Sequence, residues 1–120
     1  MTKVLVIEDN DNNRYLISFI LKGEGFDVIE AVTGEEGVEK VINERPDLVL
    51  MDIQLPGIDG LEATRRIRAS PADGKIAIVA LTSYAMSGDR EHALAAGCNG
   101  YVEKPINPDT IIDEIRKYLI

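Results

Sequence analysis

The feature that most constrains this chain is an alternation. Five short runs dominated by Val, Ile and Leu are separated by longer stretches whose apolar residues recur at helical spacing. "KVLVIE" (3–8), "FDVIEA" (26–31), "DLVLMD" (47–52), "IAIVALT" (76–82) and "GYVEK" (100–104) read as strands. The first, third and fourth are nearly continuous apolar runs, the pattern of strands covered on both faces. A first helix is expected over about Asn12–Lys22, with Leu16, Ile17, Ile20 and Leu21 inward and a stop at "GEG". A second spans about Gly34–Glu44, carries Val38, Val41 and Ile42, and ends before Pro46. Asp59 reads as the N-cap of a third, with Glu62 completing a capping box and Leu61 and Ile67 facing in. Ser87 can cap a fourth that runs to Gly97. Asn107, with Pro108 in the first position, reads as the cap of the last, whose stripe is Ile111, Ile112, Ile115 and Leu119.

Strands alternating with helices imply parallel strands joined by right-handed crossovers, with helices on both faces: an α/β fold. Residues 1–120 show no linker, low-complexity tract or repeat, so one domain is expected to fill them. The formal net charge of −8 argues against nonspecific nucleic-acid binding, which needs a surplus of Lys and Arg. Cys98 is the one cysteine, so no internal disulfide is possible and a cytoplasmic location is expected. No apolar run reaches membrane-span length, and "MTKVLVIEDN" lacks the long apolar region of a signal peptide.

In open parallel sheets, sites form beyond the carboxyl ends of the strands. Those ends read Glu8 and Asp9 after the first strand, Asp52 after the third, Thr82 after the fourth and Lys104 after the fifth. The second ends in Glu30, Ala31 and Val32, with nothing distinctive. If the first strand is central, three carboxylates converge on one crevice. Such a cluster repels itself unless a hard divalent cation joins it, and Mg²⁺ binds through carboxylates, water and phosphate oxygens. A lysine and a hydroxyl at the same rim suit a phosphoryl group. Asp52 is then the candidate nucleophile, since aspartate forms acyl phosphates.

"VLVIEDN", "LVLMDIQLPGIDG", "IVALTSYA" and "GYVEKPI", in this order and spacing, resemble the receiver domain of two-component response regulators across essentially the whole chain. The resemblance implies the strand order 2-1-3-4-5 of flavodoxin-like (βα)5 receivers. It also implies a phosphoacceptor switch. A histidine kinase or histidine phosphotransfer protein donates a phosphoryl group to Asp52, with Mg²⁺ required. Asp9 and Asp52 become metal ligands, Glu8 acts largely through water, and the backbone carbonyl of Gln54 is a further ligand. Thr82 and Lys104 contact the phosphoryl group, Tyr101 is the aromatic coupled to Thr82, and the Lys104–Pro105 bond is cis. The face formed by the fourth helix, fifth strand and fifth helix then controls binding of a downstream protein. The acidic pair, Glu8-Asp9, departs from the Asp-Asp frequent in the family and leaves the metal reading intact.

The chain stops soon after the last helix, so output through protein contacts is expected, from a stand-alone regulator or a receiver cut from a larger one, as a monomer or weak dimer. An aspartate-nucleophile phosphatase would carry a second aspartate two residues after the first, where Gln54 stands. A phosphorylation-independent interaction module would not need Asp52, Thr82 and Lys104 together. Elsewhere, His92 reads as solvent-facing, Cys98 as packed near the fifth strand, and "RRIR" (65–68) as a solvated helix face. Tyr84 and Met86 read either as a partner surface or as packed on the sheet. "GEEG" (34–37) lacks the strand-then-helix context of a dinucleotide site.

Overall fold

The structure, a computed structural model, describes residues 2–71, 76–83 and 88–119. Among them, strands β1 (Lys3–Ile7), β2 (Asp27–Ala31), β3 (Leu48–Asp52), β4 (Ala77–Ser83) and β5 (Gly100–Lys104) alternate with helices α1 (Asp11–Gly23), α2 (Gly34–Glu44), α3 (Gly60–Arg68), α4 (Asp89–Ala96) and α5 (Ile111–Arg116). The strands form one parallel sheet in the order β2-β1-β3-β4-β5, as expected. Alternate residues of each central strand enter opposite layers, because successive side chains point to opposite faces. Val4, Val6, Leu48, Leu50, Val79 and Leu81 pack with Ile17 and Leu21 of α1 and Ile111 and Ile115 of α5. Leu5, Ile7, Val49, Met51, Ile78 and Ala80 pack with Val41 of α2, Ala63 and Ile67 of α3 and Ala93 of α4. All five residues of β3 are buried, including the aspartate at its end. No helix among the described residues is long and apolar enough to cross a membrane.

Local chemistry moves several boundaries. α1 begins at Asp11 and is capped by Asn10, whose side chain accepts from the Asn13 N–H at 2.9 Å. Asp59 caps α3 as expected, accepting from the Glu62 N–H at 2.8 Å. The regular helix α5 starts at Ile111. Asn107 still acts as the expected cap: its side chain accepts from the Asp109 N–H at 2.9 Å and its carbonyl accepts from the Ile111 N–H at 3.0 Å, closing one turn ahead of the regular helix. Ile42 faces out, 41% exposed, so the buried side of α2 is narrower than its apolar pattern suggested. Arg68 is not a solvated residue. It reaches across to the Gly97 carbonyl at 2.9 Å, the Ile76 carbonyl at 2.9 Å and Asn99 Oδ1 at 2.7 Å, tying α3 to the ends of β4 and α4. His92 is exposed and Cys98 is buried beside Thr64. Ser87, Tyr84 and Met86 lie outside the described residues.

Candidate functional site

The strand order places β1 and β3 side by side, so their carboxyl ends open onto one crevice. Glu8 follows β1 directly and still pairs through its N–H with the Ala31 carbonyl at 3.1 Å. Asp52 closes β3. Asp9 sits between Glu8 and the cap of α1 and is exposed. One carboxylate oxygen from each of Glu8, Asp9 and Asp52 lies within 4.8 Å of the others. Because Asn10 caps α1, neither acid is needed for that task.

Lys104, the last residue of β5, reaches the same place. Its Nζ lies 3.1 Å from Glu8 Oε1 and 3.2 Å from Asp52 Oδ2. Among the described residues, Lys104 is the group that meets Glu8 Oε1, as an ion pair. Glu8 Oε2 accepts from the Asn10 N–H at 3.2 Å, and Asp52 Oδ1 accepts from the Gln54 N–H at 3.0 Å. The Lys104–Pro105 peptide bond is cis.

The electrostatics follow from burial. Glu8 is fully buried, and this pushes its pKa above the usual carboxylate range; the neighbouring Asp52 adds to the rise, while Lys104 and the Asn10 N–H work against it. Burial also disfavours the Lys104 ammonium, but Asp52 and then Glu8 outweigh it and hold its pKa above the ordinary lysine value. Among the described residues, the site thus holds more carboxylates than Lys104 balances.

Thr82 is 1% exposed, and its Oγ1 has no hydrogen-bond partner among the described residues. Such a hydroxyl is uncommon in a buried setting and costs stability until an acceptor reaches it. Its strand position lies beside Glu103 of β5, one residue beyond Leu81, which pairs with Asp52. Tyr101, two residues before Glu103, is half-buried against the core layer of α2, α3 and α4.

The backbone around Asp52 is confined by glycine. A Cβ on Gly60 would fall 2.2 Å from the Asp52 carbonyl oxygen and 2.7 Å from Ile53 Cα, so the start of α3 packs directly on the end of β3. Arg14 was not singled out from sequence. Its guanidinium donates to the Glu8 carbonyl at 2.9 Å and pairs with Asp11 at 2.6 Å and Glu30 at 3.3 Å, bracing the β1–α1 turn. The three-residue spacing of Asp11 and Arg14 on one helix face was the available signal.

Among the described residues, the donor set fits a hard divalent cation: carboxylate oxygens without His or Cys, with a lysine and a hydroxyl that has no partner there. A doubly wound sheet whose acidic crevice lies where its strand order reverses defines a class of α/β site proteins. Within that class the chain belongs to the response regulator receiver domain family, whose sequence model matches residues 4–116. It is 38% identical over 120 residues to the polar-differentiation response regulator DivK of Brucella ovis, covering 99% of this chain and 98% of that one. It is also similar to the receiver domain of the sensor histidine kinase PA1611 from Pseudomonas aeruginosa, a crystal structure with a magnesium ion coordinated in the active-site cleft: TM-score 0.91, 36% identity, 98% of this chain and 97% of that one. A third likeness is to the receiver domain of Ssk1 from Saccharomyces cerevisiae, crystallised with the histidine phosphotransfer protein Ypd1: TM-score 0.88, 30% identity, 98% and 88% coverage.

Proposed function

We propose that this receiver domain is a phosphoacceptor switch in which Asp52 takes a phosphoryl group from a phosphohistidine of a histidine kinase or histidine phosphotransfer protein. The observation that carries this reading is the meeting of the Glu8, Asp9 and Asp52 carboxylates within 4.8 Å, with Lys104 Nζ 3.2 Å from Asp52. Glu8 through water, Asp9, Asp52 and the Gln54 carbonyl would hold a Mg²⁺ whose charge neutralises phosphoryl oxygens. The Asp52 carboxylate attacks phosphorus, the P–N bond breaks, and the histidine ring leaves with the electron pair. Lys104 holds a phosphoryl oxygen by charge. Water later cleaves the acyl phosphate and regenerates Asp52. The chain therefore promotes its own phosphorylation and dephosphorylation without turning over a separate substrate.

The conformational step uses the unpartnered Thr82 hydroxyl. A phosphoryl oxygen on Asp52 supplies the acceptor that Oγ1 lacks and draws Thr82 toward it. Tyr101 turns inward as Thr82 moves, and the α4–β5–α5 face repacks for a downstream protein. Phosphate biases two pre-existing states by differential contacts, so a partner that prefers the repacked face favours the phosphorylated form in return. The reading extends to a cytoplasmic phosphorelay protein that works as a monomer or weak dimer and contacts neither nucleic acid nor membrane.

Labelling with a small phosphodonor, acetyl phosphate, tests this. Intact-mass spectrometry should show one added phosphoryl group in the presence of Mg²⁺, and none with chelator or in Asp52→Asn. Full labelling of that variant would overturn the assignment.

A further inference from the structure

Arg90, in the first turn of α4, crosses over to β5. Its guanidinium carbon lies 5.0 Å from the centroid of the Tyr101 ring, a cation–π contact, and the same group pairs with Glu103. Tyr101 and Glu103 are two residues apart on β5 and share a face. In the register, Tyr101 lies beside Ala80 and Glu103 beside Thr82. The arginine thus bridges the half-buried ring and the residue next to the partnerless Thr82 hydroxyl.

We propose that Arg90, oriented by Glu103, holds Tyr101 in its half-exposed position and so sets how much phosphoryl occupancy is needed to turn it inward. The inference rests on the switch described under Proposed function. A cation–π contact needs the ring face beneath the cation. Rotation of Tyr101 into the core takes the ring out from under Arg90, so the contact belongs to one state and is lost in the other. Only an interaction that differs between two states can bias them. The Arg90–Glu103 pair is 44% and 41% exposed, and a pair that exposed adds little stability of its own. Its effect is to keep the guanidinium over the ring. Arg90 and Glu103 are therefore positioning residues that act through Tyr101.

The test uses the full chain with Arg90→Gln, Arg90→Lys and Glu103→Gln. Ring resonances of Tyr101, assigned with Tyr101→Phe, are followed by NMR through titration with beryllofluoride and Mg²⁺ as a phosphoryl mimic. In Arg90→Gln the unliganded resonance should move toward the saturated wild-type position. The mimic should bind about two- to fivefold tighter, the range for losing an exposed cation–π contact from one state. Glu103→Gln should move both readouts in the same direction by less, and Arg90→Lys should restore part of the wild-type behaviour. A residue that merely stabilised the fold would weaken binding or leave it unchanged. If wild-type Tyr101 responds to the mimic while Arg90→Gln matches wild type in both readouts, the latch is wrong and the switch stands. If wild-type Tyr101 does not respond at saturation, the switch fails and takes the latch with it.

Discussion

Replacing Lys104 by methionine removes a cation that faces both buried carboxylates while keeping most of the side-chain volume. Its Nζ lies 3.1 Å from Glu8 Oε1 and 3.2 Å from Asp52 Oδ2. At an effective dielectric of about 20, each contact is worth roughly 5 kcal/mol before desolvation. Burial of the ammonium offsets much of that sum. Breaking a buried pair by deleting one partner costs about 3–5 kcal/mol, and a lysine side chain still 23% exposed belongs at the low end, about 3 kcal/mol. The loss has a defined pH dependence. Glu8 has a raised pKa, so the fold favours its protonated form; that contribution is present in acid and is lost as pH rises through the folded-state value. Lys104 restrains the rise, and without it Glu8 climbs further. The deficit of Lys104→Met should therefore be largest near neutrality and shrink toward about pH 5. Urea unfolding of both proteins across that range, with Mg²⁺ absent, reads this as a lowered midpoint at unchanged slope. A deficit that is absent, or that stays constant with pH, would refute the electrostatic reasoning.

Three further outcomes follow from the same geometry. Stabilisation of the wild type by millimolar Mg²⁺ should grow as pH rises from about 5 to 7.5, because a protonated Glu8 competes with the cation; thermal melts at several pH values check this, and a pH-independent shift would contradict it. Gly60→Ala should lose about 2 kcal/mol or more and slow acetyl phosphate labelling, since its Cβ meets backbone at the Asp52 carbonyl, 2.2 Å away; unchanged stability in urea would show that β3 and α3 can separate. Arg68→Met should cost roughly 2 kcal/mol through the acceptors it leaves at Gly97, Ile76 and Asn99, with labelling of Asp52 preserved, as chemical denaturation and mass spectrometry would report.

The architecture was legible because burial and periodicity agree. β3 is apolar until its final residue since helices cover both its faces, and α2 ends at Glu44, ahead of Pro46, where its pattern stopped. The acidic crevice was legible for a related reason: chain order put Glu8, Asp9, Asp52, Thr82 and Lys104 at strand ends, and topology did the gathering. Contacts set by distant partners were not legible. The polar partners of Arg68 lie at residues 76, 97 and 99, and the reach of Arg90 to Tyr101 depends on how α4 crosses β5. An apolar Ile42 looked inward by spacing, but α2 buries only a narrow stripe.

The central claim is that charge crowding at this rim prepares a single carboxylate to carry phosphate. Borohydride reduction of the acyl phosphate after labelling in Mg²⁺, followed by peptide mapping, locates that carboxylate directly. The account predicts reduction at Asp52 alone. Reduction at Glu8, at Asp9 or at an acid outside the crevice, with Asp52 intact, would contradict it.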